Sequence, residues 1–162
     1  MFDGTFGGGG HSIPLLNAHS NLKILGTDLD EKLLEQCQLE YADLIKQRRL
    51  ALQHSNYVGI PAIDLKAAFN RKITVKDRFD IGLLDLGFSN FQVMDDERGF
   101  SYLPQNDESY LDMRFDNSAD SNSVTASDIV NGTSELELTQ IFQRFGDEKF
   151  APKLAQGILE AR

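Results

Sequence analysis

Residues 7–10 are all glycine, and this run constrains the chain more than any other feature. It follows Met1-Phe2-Asp3, which reads as the tail of a strand, and precedes Ser12, where a short helix to about Asn17 is expected. Glycines let the backbone take positive φ and approach a ligand where a Cβ would clash. A strand end, a glycine turn and a helix start together define the first unit of a parallel α/β sheet. The rest of the first hundred residues repeats that alternation. NLKILGTD (21–28) is an apolar strand with an acidic end, and Asp30 is placed to cap the helix after it. Over 31–49, Leu34, Cys37, Tyr41, Leu44 and Ile45 recur at spacings of three and four, which predicts one helix with those residues on its buried face. Cys37 therefore belongs to the core and not to catalysis. Residues 50–55 form another short strand, 60–69 a helix broken near Pro61, and FDIGLLDL (79–86) the strongest strand of all.

The character changes after about Ser101. Residues 104–122 are polar and turn-rich, and both Thr125-Ala-Ser-Asp128 and Ser134-Glu-Leu-Glu137 have the spacing of a helix-opening capping box. Phe142, Phe145 and Phe150 sit among helix formers, with Gly146 expected to stop a helix. The division is thus an α/β part over 1–102 and a helical part over 103–162.

Composition narrows the function classes. A chain of 162 residues argues for one domain. No apolar run approaches the roughly 18 residues of a membrane span, so no membrane role is expected. The single Cys37 excludes an internal disulfide and a cysteine-rich zinc site, and no metal site is expected. The net charge of −9 opposes nonspecific nucleic-acid binding. The charge is uneven: residues 44–79 carry eight basic residues against two acids, whereas 95–148 carry thirteen acids against three arginines. A basic strip facing a phosphate backbone and simple solvation of helix faces are both compatible with that split.

The glycine loop is not a phosphate-binding P-loop, because no Lys-Ser/Thr follows it, and it lacks the strict register of a dinucleotide fingerprint. Acids stand at the strand ends beside it. That combination suits a nucleoside without a pyrophosphate, of which S-adenosylmethionine is an example. Asp28 lies 18 residues beyond Gly10, about the interval at which an acid meets ribose hydroxyls. His11 is placed either to cap the following helix or to touch the cofactor.

DGTFGGGGHS (3–12), GTDLD (26–30), LLDLGFSNFQ (83–92), DDERGFS (95–101), LDMRFD (111–116), TASDIVN (125–131) and FGDEKFAPKLAQGILEAR (145–162) occur in the order found in one family. In these motifs the chain resembles the ribosomal small-subunit RNA cytosine-N4 methyltransferases, bacterial proteins once called MraW, which have mitochondrial relatives. The resemblance spans nearly the whole chain. It implies a partial class I, Rossmann-like S-adenosylmethionine-dependent methyltransferase sheet over 1–102, followed by an all-helical inserted segment implicated in RNA binding. It also implies cofactor contacts at Gly9, Gly10 and His11, a ribose acid at Asp28, an aromatic contact at Tyr57, the acid Asp85 after the fourth strand, and Gln92. Its partners would be small-subunit ribosomal RNA or the ribosomal subunit, in the cytoplasm of a bacterium or in a mitochondrion or other organelle of a eukaryote. Two places depart from the family pattern: Ser89-Asn90-Phe91-Gln92 stands where Ser-Ser-Pro-Gln is usual, and Ser109-Tyr110 where Gly-Pro precedes Leu-Asp-Met-Arg. The resemblance further implies a chain truncated at both ends.

Methylation of an exocyclic amine needs in-line placement and hydrogen-bond acceptors at the amine hydrogens. The Asp/Asn-Pro-Pro-aromatic turn used by many amino-methyltransferases is absent, and Asp85-Leu-Gly-Phe-Ser89 occupies its place. Asp85 and Ser89 are the expected amine-orienting residues, with Asp85 as a purely cofactor-holding group the alternative. A C5-cytosine mechanism would need an exposed nucleophilic cysteine. Arg98 and Arg114 are candidates for phosphate contact or for internal ion pairs with the surrounding acids, and the number of acids nearby favours the ion pairs. Two other functions compete: a nicotinamide-dependent oxidoreductase, opposed by the broken fingerprint, and a noncatalytic remnant serving as a cofactor- or RNA-binding assembly module.

Overall fold

The computed structural model describes residues 1–58, 69, 79–102, 110–116 and 123–162. They fall into two compact units, one of Met1–Phe91 with Phe115–Ser121, the other of Gln92–Arg114 with Asn122–Arg162. The expected helix over 60–69 lies outside the described residues, apart from position 69.

The first unit is a parallel sheet with helices. Strand β1 (Phe2–Asp3) leads through the glycine loop to α1 (Ser12–Ala18), then β2 (Ile24–Asp28), α2 (Glu31–Glu40), α3 (Ala42–Lys46), β3 (Leu50–His54) and β4 (Gly82–Leu83). All pairings are parallel and the strand order is β3-β2-β1-β4. The order grows outward from β1 to β3 and then reverses, so β4 lands on the other side of β1. Ligands of open α/β sheets bind at such a reversal, outside the carboxyl ends of the strands.

Both faces of the sheet are apolar, as a parallel sheet requires. On one face Phe6, Leu16, Ile24, Leu33, Leu34, Cys37 and Leu50 form a buried cluster with Tyr41, Leu44 and Leu52 against it. On the other, Phe2, Leu25 and Ala51 pack with Tyr57, Phe69 and Phe79. Each fully buried Leu or Ile contributes about 1.5–3 kcal/mol relative to exposure, so this cluster anchors α1 and α2 to the sheet.

Two local features of this unit differ from expectation. The helix expected over 31–49 is two helices. Asp30 caps the first by accepting from the Leu33 N–H at 3.1 Å. Tyr41 leaves helical geometry at φ −103°, ψ 25°, and Arg48 at φ 57° turns the chain into β3. The strand expected over 79–86 pairs only at Gly82 and Leu83, with flanking bonds from the Phe2 N–H to Ile81 O and from the Gly4 N–H to Leu83 O. Its ladder is short because β1 offers only two residues to pair.

The second unit holds α5 (Ala126–Gly132), α6 (Glu135–Gly146) and α7 (Ala151–Ala161), while the short α4 (Asn90–Met94) runs across the division between units. Both capping boxes are formed: Thr125 with Asp128 and Ser134 with Glu137 exchange side-chain and backbone hydrogen bonds reciprocally. Each such cap contributes roughly 1 kcal/mol. Helices α6 and α7 pack against one another, and Leu138, Ala151 and Ala155 on them are buried. Gly146 is not the stop residue. It stays helical, and Asp147 takes the left-handed position at φ 49°, with the N–H groups of Asp147 and Glu148 on Phe142 O. Asp is among the few non-glycine residues that enter this region readily. Arg114 forms the expected ion pair, two-pronged onto Asp112 at 2.7 and 2.8 Å. Arg98, which is buried, donates to Arg114 O at 2.6 Å and lies over the Phe100 ring.

Candidate functional site

The site is built where β1, β2 and β4 end. Asp3 closes β1 and is almost fully buried. Its Oδ2 accepts from the Ser12 hydroxyl at 2.6 Å and its Oδ1 from the Thr5 N–H at 3.2 Å. The glycine loop is thereby clipped at its base, since Thr5 precedes it and Ser12 begins α1. Burial pushes the Asp3 pKa up, opposed by the hydrogen bonds from Ser12 and Thr5.

Phe6 fixes the loop to the core. Its N–H donates to Thr27 O at 3.0 Å, its carbonyl accepts from the Gly9 N–H at 2.8 Å, and its ring is buried. Gly9 has φ 82°, and a Cβ there would lie 2.7 Å from Ile13 Cγ1, so the turn requires glycine on both counts. Gly10 differs. No described atom lies within 4 Å of where its Cβ would sit, so the backbone there faces open space.

Helix α2 supports the loop from behind. The Tyr41 hydroxyl donates to Gly8 O at 3.0 Å and the Cys37 thiol to Gly7 O at 3.6 Å. Burial raises the Cys37 pKa to about 11 and the Tyr41 pKa to about 12, with the Glu40 carboxylate adding to both. Both therefore serve the loop as neutral donors. A thiol so held is a poor nucleophile at neutral pH, as the sequence reading expects of Cys37.

Asp28, at the end of β2, reaches across to the loop. Its Oδ2 accepts from the Gly7 N–H at 2.7 Å and its Oδ1 from the Asp30 N–H at 3.0 Å. A carboxylate has about four acceptor positions, so among the described residues two remain open to ligand hydroxyls. Asp85 follows β4. Its backbone N–H donates to Thr5 Oγ1 at 2.7 Å, and its Oδ2 lies 3.0 Å from His11 Nε2, with both side chains largely exposed. His11 occupies the N-cap position of α1 but makes no side-chain cap bond there. Of its two expected roles, capping is excluded, and the imidazole faces Asp85 instead.

Five of the residues expected from sequence thus come together at one sheet edge: Gly9, Gly10, His11, Asp28 and Asp85. Tyr57 joins the aromatic cluster beside β1, with its Cβ 2.8 Å from where a Cβ on Gly4 would be. Ser89 is half-buried and precedes α4. Gln92 is buried in α4 and belongs to the second unit. Phe91, which replaces the usual proline, lies against Gly8, its Cε2 2.5 Å from the position of a Cβ there. Sequence reasoning missed the working parts of Asp3, Thr5, Ser12, Cys37 and Tyr41. The acid-before-glycine pattern hinted at Asp3; the others act through contacts that no spacing reveals.

Chemically, this edge presents carboxylates beside exposed loop backbone. Asp28 and Asp3 repel one another enough to help raise the Asp3 pKa. An additional pyrophosphate would be repelled too, whereas hydroxyls and cationic groups would be favoured. Among the described residues no group of His, Cys, Asp and Glu side chains could hold a metal ion, and no helix is long and apolar enough to cross a membrane.

A parallel sheet of this order, with a glycine loop after β1 and acids after β2 and β4, has the arrangement of a Rossmann-like α/β protein. The comparisons with known proteins go further: the MraW methylase family model matches residues 1–162, and the chain belongs to that family. Its fold class is accordingly that of a Rossmann-like methyltransferase. Similar proteins include three named Ribosomal RNA small subunit methyltransferase H. That of Thermobifida fusca is 39% identical over 99% of this chain and 44% of its own length. That of Lactobacillus helveticus is 36% identical over 99% of this chain and 48% of its own. That of Syntrophotalea carbinolica is 38% identical over 99% and 46%. The chain spans about half the length of the curated relatives it matches.

Proposed function

We propose that this chain is part of an enzyme that methylates the N4 amine of a cytosine in small-subunit ribosomal RNA, with S-adenosylmethionine as donor. The observation that carries the reading is the meeting of the glycine loop, Asp28 and Asp85 at the strand-order reversal, in a chain matched throughout by the MraW methylase family.

The open space at Gly10 and the two free acceptor positions of Asp28 fit an adenosine-bearing cofactor. Asp28 would accept from its ribose hydroxyls, with Gly9 and Gly10 giving close backbone approach and His11 and Tyr57 adding further contacts. When bound, S-adenosylmethionine supplies a methyl group on a sulfonium, the electrophile for an amine. The N4 lone pair of cytosine is delocalised into the ring, so the amine must be held with its hydrogens drawn toward acceptors. Asp85 and Ser89 take that role in this reading, and Asp85 also faces the charged end of the methyl donor. The exposed Asp85 carboxylate, held at its own backbone by Thr5, is suited to it. The target base must be unstacked to reach such a site. The part of the chain from residue 103 onward would serve as the RNA-binding insert, and small-subunit ribosomal RNA or the subunit itself would be the partner.

Calorimetric titration of the chain with S-adenosylmethionine, beside Asp28→Asn, tests the cofactor half. Asparagine keeps an acceptor for the Gly7 N–H but loses the charge and acceptors offered to ribose. Saturable binding, weakened at least about tenfold in the variant, is expected. A folded chain that binds nothing would refute the cofactor role and favour a noncatalytic module. Methyl transfer to N4 of cytosine in small-subunit RNA by the chain joined to the portion of a relative that it does not match tests the reaction, and labelled RNA carrying methyl elsewhere would overturn it.

A further inference from the structure

Asp85 stands 80 residues from Thr5 in sequence, yet among the described residues the Thr5 side chain holds its backbone beside the glycine loop. The Thr5 hydroxyl accepts from the Asp85 N–H at 2.7 Å. Thr5 is itself held, its own N–H donating to the buried Asp3, which also receives the Ser12 hydroxyl. Around Asp85 the sheet supplies little else to define position. The β4 ladder ends at Leu83, and Leu84, Asp85 and Leu86 are all exposed. Beyond the ladder the main chain is therefore positioned by a side-chain acceptor instead of strand pairing.

The geometry points to Thr5 as a positioning residue for Asp85, relaying the fixed geometry of Asp3 to the acid that would face the charged end of the methyl donor. This inference rests on the proposed cofactor role of the site. Thr5 needs no contact with the ligand: its hydroxyl is engaged with the Asp85 backbone, and its effect passes through where the Asp85 carboxylate sits. Near His11, the carboxylate is 3.0 Å from Nε2, so a small backbone drift would change which groups it can reach.

Thr5→Val removes the acceptor at nearly constant shape, and Thr5→Ser restores it. In the ligand-free chain the Asp85 amide should exchange with solvent about tenfold faster in Thr5→Val and near the wild-type rate in Thr5→Ser. Affinity for S-adenosylmethionine should fall about tenfold in Thr5→Val, while affinity for 5′-methylthioadenosine, which lacks the sulfonium and amino-acid portion, changes less than about twofold. Combined with Asp85→Ala, Thr5→Val should add no further loss. Unchanged exchange at Asp85 in Thr5→Val would overturn the proposal, as would equal losses for both ligands or additive losses in the double variant. If the wild-type chain binds neither ligand, the cofactor reading fails, while the exchange comparison still decides whether Thr5 holds Asp85.

Discussion

Replacing Gly26 with alanine would place a Cβ 2.5 Å from Phe6 Cδ2, 2.8 Å from Phe6 Cγ and 2.9 Å from Leu52 Cδ2. None of these neighbours can step aside freely. Phe6 is 3% exposed and wedged in the cluster with Leu16, Ile24 and Leu34, and Leu52 packs against the same cluster. Overpacking of this kind costs about 1–3 kcal/mol, which for a domain of this size lowers the melting temperature by roughly 2–12 °C. The damage should also reach function, because Phe6 carries the start of the glycine loop through its bonds with Thr27 and Gly9. A ring pushed off β2 takes the loop with it. Thermal melting of Gly26→Ala, with and without S-adenosylmethionine, should show the lower transition and a reduced ligand-induced rise. Phe6→Leu makes room for the new methyl, so the double variant should recover about 0.5–3 kcal/mol relative to the sum of the single changes. Wild-type melting and ligand response in Gly26→Ala, or strict additivity with Phe6→Leu, would refute the claim that Gly26 exists to admit the Phe6 ring.

Two further outcomes are expected. Asp3 has a pKa raised by burial, so the folded state holds its proton more tightly than the unfolded chain. Its contribution to stability is full below the unfolded value near 3.8 and is lost as pH rises through the folded value. Denaturant titrations of Asp3→Asn minus wild type should therefore show the variant gaining relative stability as pH rises above about 4, and a pH-independent difference would contradict the burial argument. The Cys37 thiol, with its pKa pushed up to about 11 and its hydrogen on Gly7 O, should react with iodoacetamide only as fast as the chain opens. Native labelling at the rate of the denatured chain would show that α2 does not cover the loop.

Much of this protein was legible one residue at a time. The acid–glycine–histidine run dictated a loop between strand and helix, because only glycine enters Gly9's φ of 82° against Ile13 without strain. Thr125 and Ser134 announced two helix starts, since a capping box is closed by side chains three residues apart. The spacing of Leu34 and Cys37 set which face of α2 is buried. These are local rules, with cause and effect a few residues apart. The break at Tyr41 and the left-handed Asp147 escaped them, for helical periodicity survives a break and Asp competes with glycine for the same turn position.

What only tertiary structure decided is how the acids are held. Sequence offered Asp28 and Asp85 as strand ends beside a glycine loop, but not that Asp28 would bond Gly7 or that Asp85 would rest on Thr5. It offered His11 two roles, and the fold removed one by turning the ring toward Asp85. The β3-β2-β1-β4 order accounts for the difference. Placing β4 beside β1 joins residues 80 positions apart, and hydrogen bonds across such a junction follow from strand order, which no local pattern encodes.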